Sequence, residues 1–205
     1  SVQIESLFKT MEGQIRVLSS NALTIEATKS FSQAFTSHAK ENNDLSSESK
    51  TDASLNNYYL KHFGEEYKRS NGGNQANNLL QNLSGLSKNA KSLQYSYISA
   101  NKHPLGEKDS LMSQDDRSRW SGLHKKFHPS FKDYLYEFGY YDIFLVDAQS
   151  GNIVYSVFKE LDFATSLKTG PFAKSGIGDA FNKAVNATSR DEVSITDMDR
   201  YFPSY

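Results

Sequence analysis

Apolar residues recur at spacings of three and four from the first turn of the chain. Ile4, Leu7, Met11, Ile15, Leu18, Ala22 and Ile25 form one stripe, and Phe31 and Phe35 continue it. A single helix over residues 2 to about 40 would account for all of them. Gly13 lowers helix propensity there without breaking the pattern. At 1.5 Å per residue, roughly 38 residues would reach about 57 Å, longer than a globular core helix needs. The stripe predicts a spine helix or a dimer seam. A core helix broken near Ser19-Ser20-Asn21 is the alternative.

Residues 41–54 are rich in Ser, Asn, Asp and Glu and read as a loop. Leu55, Tyr58, Tyr59, Phe63 and Tyr67 mark a second helix, stopped by Asn71-Gly72-Gly73-Asn74. A short helix is expected over 76–83. Leu93-Gln-Tyr-Ser-Tyr-Ile98 fits either a strand or a helical turn, and 101–107, with Pro104 and Gly106, is a loop. Trp120, Leu123, Phe127, Phe131, Tyr134, Leu135 and Phe138 predict a helix from Ser113 or Asp116 to Phe138. Pro129 should kink or divide it, and Gly139 should cap it.

The pattern then changes period. Tyr140-Tyr-Asp-Ile-Phe-Leu-Val-Asp147 and Asn152-Ile-Val-Tyr-Ser-Val-Phe-Lys-Glu160 are β-rich runs around a polar turn with Asp147, Ser150 and Gly151. They read as an antiparallel hairpin. Residues 161–175 are irregular, 178–187 a short amphipathic helix, and Glu192-Val-Ser-Ile-Thr-Asp197 a third strand. The chain thus divides into a helical part, 1–112, and an α/β part, 113–205, an α+β fold overall.

Composition narrows the choices. At 205 residues the chain holds one large domain or two small ones. A net charge of -1 and scattered basic residues give no support for nucleic-acid binding. With no cysteine there is no disulfide framework and no thiolate site. No apolar run approaches the roughly 18 residues of a membrane span. Ser1-Val-Gln-Ile-Glu5 lacks the pattern of a signal peptide. His124 and His128 share a helix face, but Lys125 stands where a zincin motif needs Glu, so packing or solvated histidines are expected. No Gly-x-Ser-x-Gly elbow occurs, and neither Gly72-Gly73 nor Ser175-Gly-Ile-Gly178 has a phosphate-loop ending.

Several stretches of the α/β part resemble a known family. They are Phe138-Gly-Tyr-Tyr-Asp-Ile-Phe-Leu-Val-Asp147, Gly151-Asn-Ile-Val-Tyr-Ser-Val-Phe-Lys-Glu-Leu-Asp162, Thr165-Ser-Leu167, Gly170-Pro-Phe172 and Val193-Ser-Ile-Thr-Asp197. Together they are similar to the Cache domain, the PAS-like sensor module of bacterial transmembrane receptors such as chemoreceptors, histidine kinases and nucleotide cyclases. The resemblance implies an extracytoplasmic, periplasmic ligand-sensing region. It implies anchorage through membrane segments absent from this chain and pairing through the N-terminal helix into a homodimer. It implies no cofactor and no catalysis within the chain. The family's small ligand lies between the sheet and the loop after the hairpin. That carries the site to Tyr155, Lys159, Lys168, Phe172, Asp197, Asp199, Arg200 and Tyr201. Both charge signs with aromatic walls would suit an amino acid, an amine or an organic acid. A PAS-like sheet has about five strands and only three are counted, so the module is expected to be incomplete at its C-terminal end or to borrow strands, for example from 93–98. The runner-up is a structural or dimerisation module without a ligand. A hydrolase is a third reading, which a Ser–His–carboxylate cluster in a cleft would favour.

Overall fold

The computed structural model describes residues 2–42, 47–196 and 201–204. The fold is α+β, with helices wrapped around a small hairpin. The long stripe is carried by two helices, α1 (Val2–Ser20) and α2 (Ala22–Phe35). Asn21 separates them. Its backbone leaves the helical region (ψ 135°), and its side chain accepts a hydrogen bond from the Leu23 amide at 2.8 Å. An N-cap in mid-stripe ends one helix and starts the next, so the stripe breaks where the alternative put the break. Only α2 is embedded, through Ala27, Phe31, Ala34 and Phe35, whereas α1 has no buried residue.

A short turn of helix, α3 (His38–Glu41), follows. Ser47 then caps α4 (Glu48–Asn57), accepting from the Lys50 amide, so a helix begins inside the stretch read as a loop. It continues through a π-helical turn, Tyr58–Phe63, into α5 (Gly64–Ser70). After α6 (Leu79–Ser84), α7 (Lys88–Gln94) runs into a second π-helical turn, Tyr95–Ser99. The helical reading of 93–98 holds, and the strand reading fails. Leu93, Tyr97 and Ile98 are buried together in the core, as a wide helical turn allows.

α8 (Arg119–Phe138) is capped by the Ser118 hydroxyl and closed by Gly139 in the left-handed region. It is not divided at Pro129, which faces solvent while Phe127, Phe131 and Leu135 hold the buried face on both sides. The hairpin forms as expected. β1 (Phe144–Val146) pairs antiparallel with β2 (Ile153–Ser156), with a register shift between Leu145 and Val146. Asp147 fixes the turn by accepting from the Ser150 amide and hydroxyl, both at 2.7 Å. Residues 164–167 then fold back along the far edge of β2 through Ile153 N–H to Thr165 O and Ala164 N–H to Ile153 O. α9 (Gly176–Val185) closes the order.

The third strand is not formed over 192–196, and Asp197 lies outside the described residues. Alternation alone cannot make a strand without a ladder to join, and Ile195 is left exposed. Among the described residues the sheet has two strands, and 93–98, being helical, lends none.

One continuous core spans both halves of the chain. At its centre Phe31 of α2 stacks on Tyr155 of β2 at 5.1 Å and packs on Trp120 of α8 at 5.0 Å. The indole of Trp120 donates to Val154 O at 3.0 Å.

Candidate functional site

Tyr155 and Lys159 come together, but inside the core. Tyr155 is fully buried, and its hydroxyl donates to His128 Nδ1 at 2.7 Å. His128 Nε2–H donates to Asp109 O at 2.7 Å, and a carbonyl can only accept, so the ring is a neutral Nε2–H tautomer. Burial, aided by the nearby Lys159 charge, pushes the His128 pKa down to about 3. His124 stacks on His128 at 4.2 Å and donates through Nδ1 to Met112 O, so this pair packs. Lys159 has a left-handed backbone (φ +57°), which turns its side chain back under β2. Its ammonium donates to Ser156 O and Val157 O and lies 5.0 Å from the Tyr155 ring centre. Burial brings its pKa down to about 7.

Phe172 and Tyr201 form a second group, 6.3 Å apart, and the Tyr201 hydroxyl donates to Asp162. Lys168 joins neither. It is exposed at the turn end of the hairpin, donating to Gln149 O at 2.6 Å. Asp197, Asp199 and Arg200 lie outside the described residues.

Three carboxyl groups gather below the second arm of the hairpin. Asp142 Oδ1 accepts from the amides of Ile143, Val157 and Phe158 at 2.7, 3.0 and 3.2 Å, while its Oδ2 is buried without a hydrogen-bond partner. Asp162 is fully buried, and its Oδ1 also lacks a hydrogen-bond partner. Glu160 accepts from the Tyr141 hydroxyl at 3.0 and 3.2 Å. Burial first, and mutual repulsion second, raise Asp142 and Glu160 to about 8. Burial raises Asp162 to about 6. Each group resists ionisation because water is excluded, and for Asp142 and Glu160 the neighbouring carboxyls of the same sign add to it.

Glu160 faces a cleft of about 460 Å³ between the end of α8 and the hairpin arms. Its walls are Leu135, Tyr136, Tyr140, Tyr141 and Phe158, with Gly106, Gly139 and Ser204 at the rim. Tyr136, Phe158 and Tyr141 form a row of rings with centres 6.4 and 6.5 Å apart. Every hydroxyl in the walls is already donated. Tyr136 bonds Asp109, Tyr140 bonds the Gln14 side chain on α1, Tyr141 bonds Glu160, and Ser204 bonds Tyr141. What remains for a guest is ring face and one carboxyl. Leu135 and Tyr136 end α8, and Tyr140, Tyr141, Phe158 and Glu160 flank the hairpin strands, but the alternation of the strands drew attention to Tyr155 instead. The signal that would have found them is the aromatic doublet Tyr140-Tyr141 outside that alternation, matched by Phe158 and Glu160 on the opposite arm.

A Ser–His–Asp grouping also occurs, drawn from three distant segments that no motif links. His38 Nδ1 lies 2.9 Å from Ser92 Oγ, and Nε2 lies 3.6 Å from Asp116 Oδ2. Ser92 lines two small polar clefts, of about 90 and 230 Å³. The Asn42 amide nitrogen, held at 3.1 Å by the His38 carbonyl, also donates to Nε2 at 3.2 Å. The ring proton is therefore on Nδ1 and goes to Ser92. That is the opposite of what a base activating the hydroxyl requires. Ser92 lies within α7, where backbone amides are spent in the helix and none is aimed at an oxyanion.

Among the described residues no helix is long and apolar enough to cross a membrane. No family model, curated protein or solved structure matches this chain.

Proposed function

We propose that the chain is the extracytoplasmic, periplasmic sensing region of a bacterial transmembrane receptor of the Cache type. In this reading residues 1–112 are the helical part and 113–205 the sensing module. It binds a small molecule and catalyses nothing itself, and segments outside this sequence anchor it. The observation that carries the reading is the aromatic cleft at the hairpin base, backed by three carboxyl groups that resist ionisation. A cleft of this size is within the range of small-molecule sites. Two buried carboxylate oxygens without hydrogen-bond partners are costly in a structure with no use for them. The hairpin with its returning loop and the preceding helix ending on Gly139 agree with the resemblance in the sequence.

The test is a thermal-shift screen of the 205-residue chain against amino acids, organic acids and amines. At about a hundred times its dissociation constant, a ligand specific to the folded state adds roughly 2.7 kcal/mol. A rise in melting temperature of several degrees is expected for one chemical class, and it should vanish in Tyr141→Ala. A screen in which no compound of any class raises the melting temperature would remove the sensing reading. The module without a ligand would then stand, favoured by the uncovered apolar face of α1.

A further inference from the structure

We infer that the cleft at the hairpin base takes an organic ammonium ion and rejects carboxylates; this rests on the sensing reading and narrows it to one ligand class. The argument is one of donors and acceptors. An organic acid, or the carboxylate of an amino acid, needs a cation or a free donor in the wall. No Lys, Arg or His lines this cleft. The four wall hydroxyls all donate elsewhere, and the one proton left, on Glu160, is lost above about pH 8, where the rejection of carboxylates should be complete and the butyrate control is read. The acidic side of the balance is well supplied, with Glu160 in the wall and Asp162 and Asp142 behind it.

The ring faces complete the match. Tyr136, Phe158 and Tyr141 line the cleft with aromatic surface, Tyr136 and Phe158 meeting edge to face, and a quaternary or alkylated ammonium is attracted to aromatic faces while its methyl groups fill apolar space. The protein already uses this contact nearby. Lys132 Nζ lies 5.7 Å from the Tyr136 ring centre while paired with Asp109 at 3.0 Å.

Binding should release a proton. The titratable groups facing Glu160 are Tyr141 from the first arm, Asp142 beside it, Asp162 on the returning segment and Tyr201 above. With burial and two carboxyl neighbours, Glu160 is largely protonated at neutral pH. An ammonium beside it favours the ionised form. Affinity should therefore rise with pH up to about 8 and level off above it.

The experiment is calorimetry of the 205-residue chain with tetramethylammonium, choline and spermidine. The neutral isostere 3,3-dimethylbutan-1-ol and butyrate serve as controls. At least one ammonium should bind roughly tenfold or more tighter than the isostere, and butyrate should not bind. Repeating the titration at pH 7 in buffers of different ionisation enthalpy should show on the order of one proton released per ligand. Glu160→Gln should bring the ammonium down to the isostere's affinity. Phe158→Leu should weaken the ammonium by about fivefold and leave the isostere unchanged, so the outcome does not hang on one variant. Equal binding of ammonium and isostere, binding of butyrate, or no binding by any of the three ammonium probes overturns the inference. A binder from another class in the wider screen would overturn it while leaving the sensing reading in place. An empty screen removes both.

Discussion

Burial of Asp142, Glu160 and Asp162 makes the stability of this protein depend on pH in an uncommon direction. Their folded pKa values, about 8, 8 and 6, lie above the unfolded carboxyl value of about 4. Between those values the folded state binds more protons, so stability falls as pH rises through the window. His128, held down to about 3, works the other way between about 3 and 6.5, because it must be neutral to fold. Above that range its contribution is complete. Lys159, at about 7, and Lys108, at about 8, against an unfolded value of about 10.4, oppose the carboxyls from about pH 6 upward without cancelling them below about pH 7.5. The melting temperature should therefore decline between about pH 6.5 and 7.5. Asp142→Asn keeps the Oδ1 acceptor for three amides and removes one titration, so its decline should be shallower. A wild-type curve that is flat or rising in that interval would contradict the assignment. None of this was legible from residue order. Asp142 looks like any polar residue at a strand's start, and only the fold shows that Asp162 returns beneath it.

At the scale of elements, the hydrophobic period located α2, α8 and α9 but missed α7 and the first turns of α4, whose apolar residues are too few to show a period, and caps decided the boundaries. Asn21 is one polar residue in a stripe that runs past it, yet its side-chain bond to Leu23 splits the helix. Ser47 and Ser118 likewise set the starts of α4 and α8. The hairpin was legible because its turn chemistry is local. The third strand was not, because a strand exists only with a partner. Gly151 makes the hairpin testable. It has φ +74°, and a Cβ there would come within 2.9 Å of the Lys168 amide nitrogen. Gly151→Ala should cost about 1–3 kcal/mol, from backbone strain and from pushing away the returning segment. Urea titration would measure it, and a loss below about 0.5 kcal/mol would mean the turn relaxes freely.

The whole molecule leaves one large apolar surface uncovered. Ile4 and Leu7 are each 59% exposed, and Phe8 and Val17 are open as well. Ile4, Phe8 and Ile15 are exposed at heptad spacing with half-buried Met11, a seam that suits a parallel pair of helices, while Leu18 at its end already packs against the core. We propose that this face joins two copies of the chain. Sedimentation of the wild type should show a dimer, and Ile4→Asp should return it to a monomer without lowering the melting temperature, since Ile4 touches no core. A wild type that stays monomeric at high concentration would exclude the seam. The stripe was visible in the sequence. Its being left bare was not, because only the fold tells which apolar faces the core has taken.

Tyr140 contributes its ring to the cleft and its hydroxyl to Gln14 of α1. Tyr134 holds the Gln14 carbonyl as well. Taking the break at Asn21 as a fulcrum, Gln14 stands seven residues along a lever arm and Val2 nineteen, roughly 10 and 28 Å at helical rise. Were α1 to pivot there as a rigid rod, a shift of about 1 Å at Gln14 would move Val2 by nearly threefold that distance. In the sensing reading proposed above, the Tyr140–Gln14 bond is the link that would carry a change in the cleft to α1.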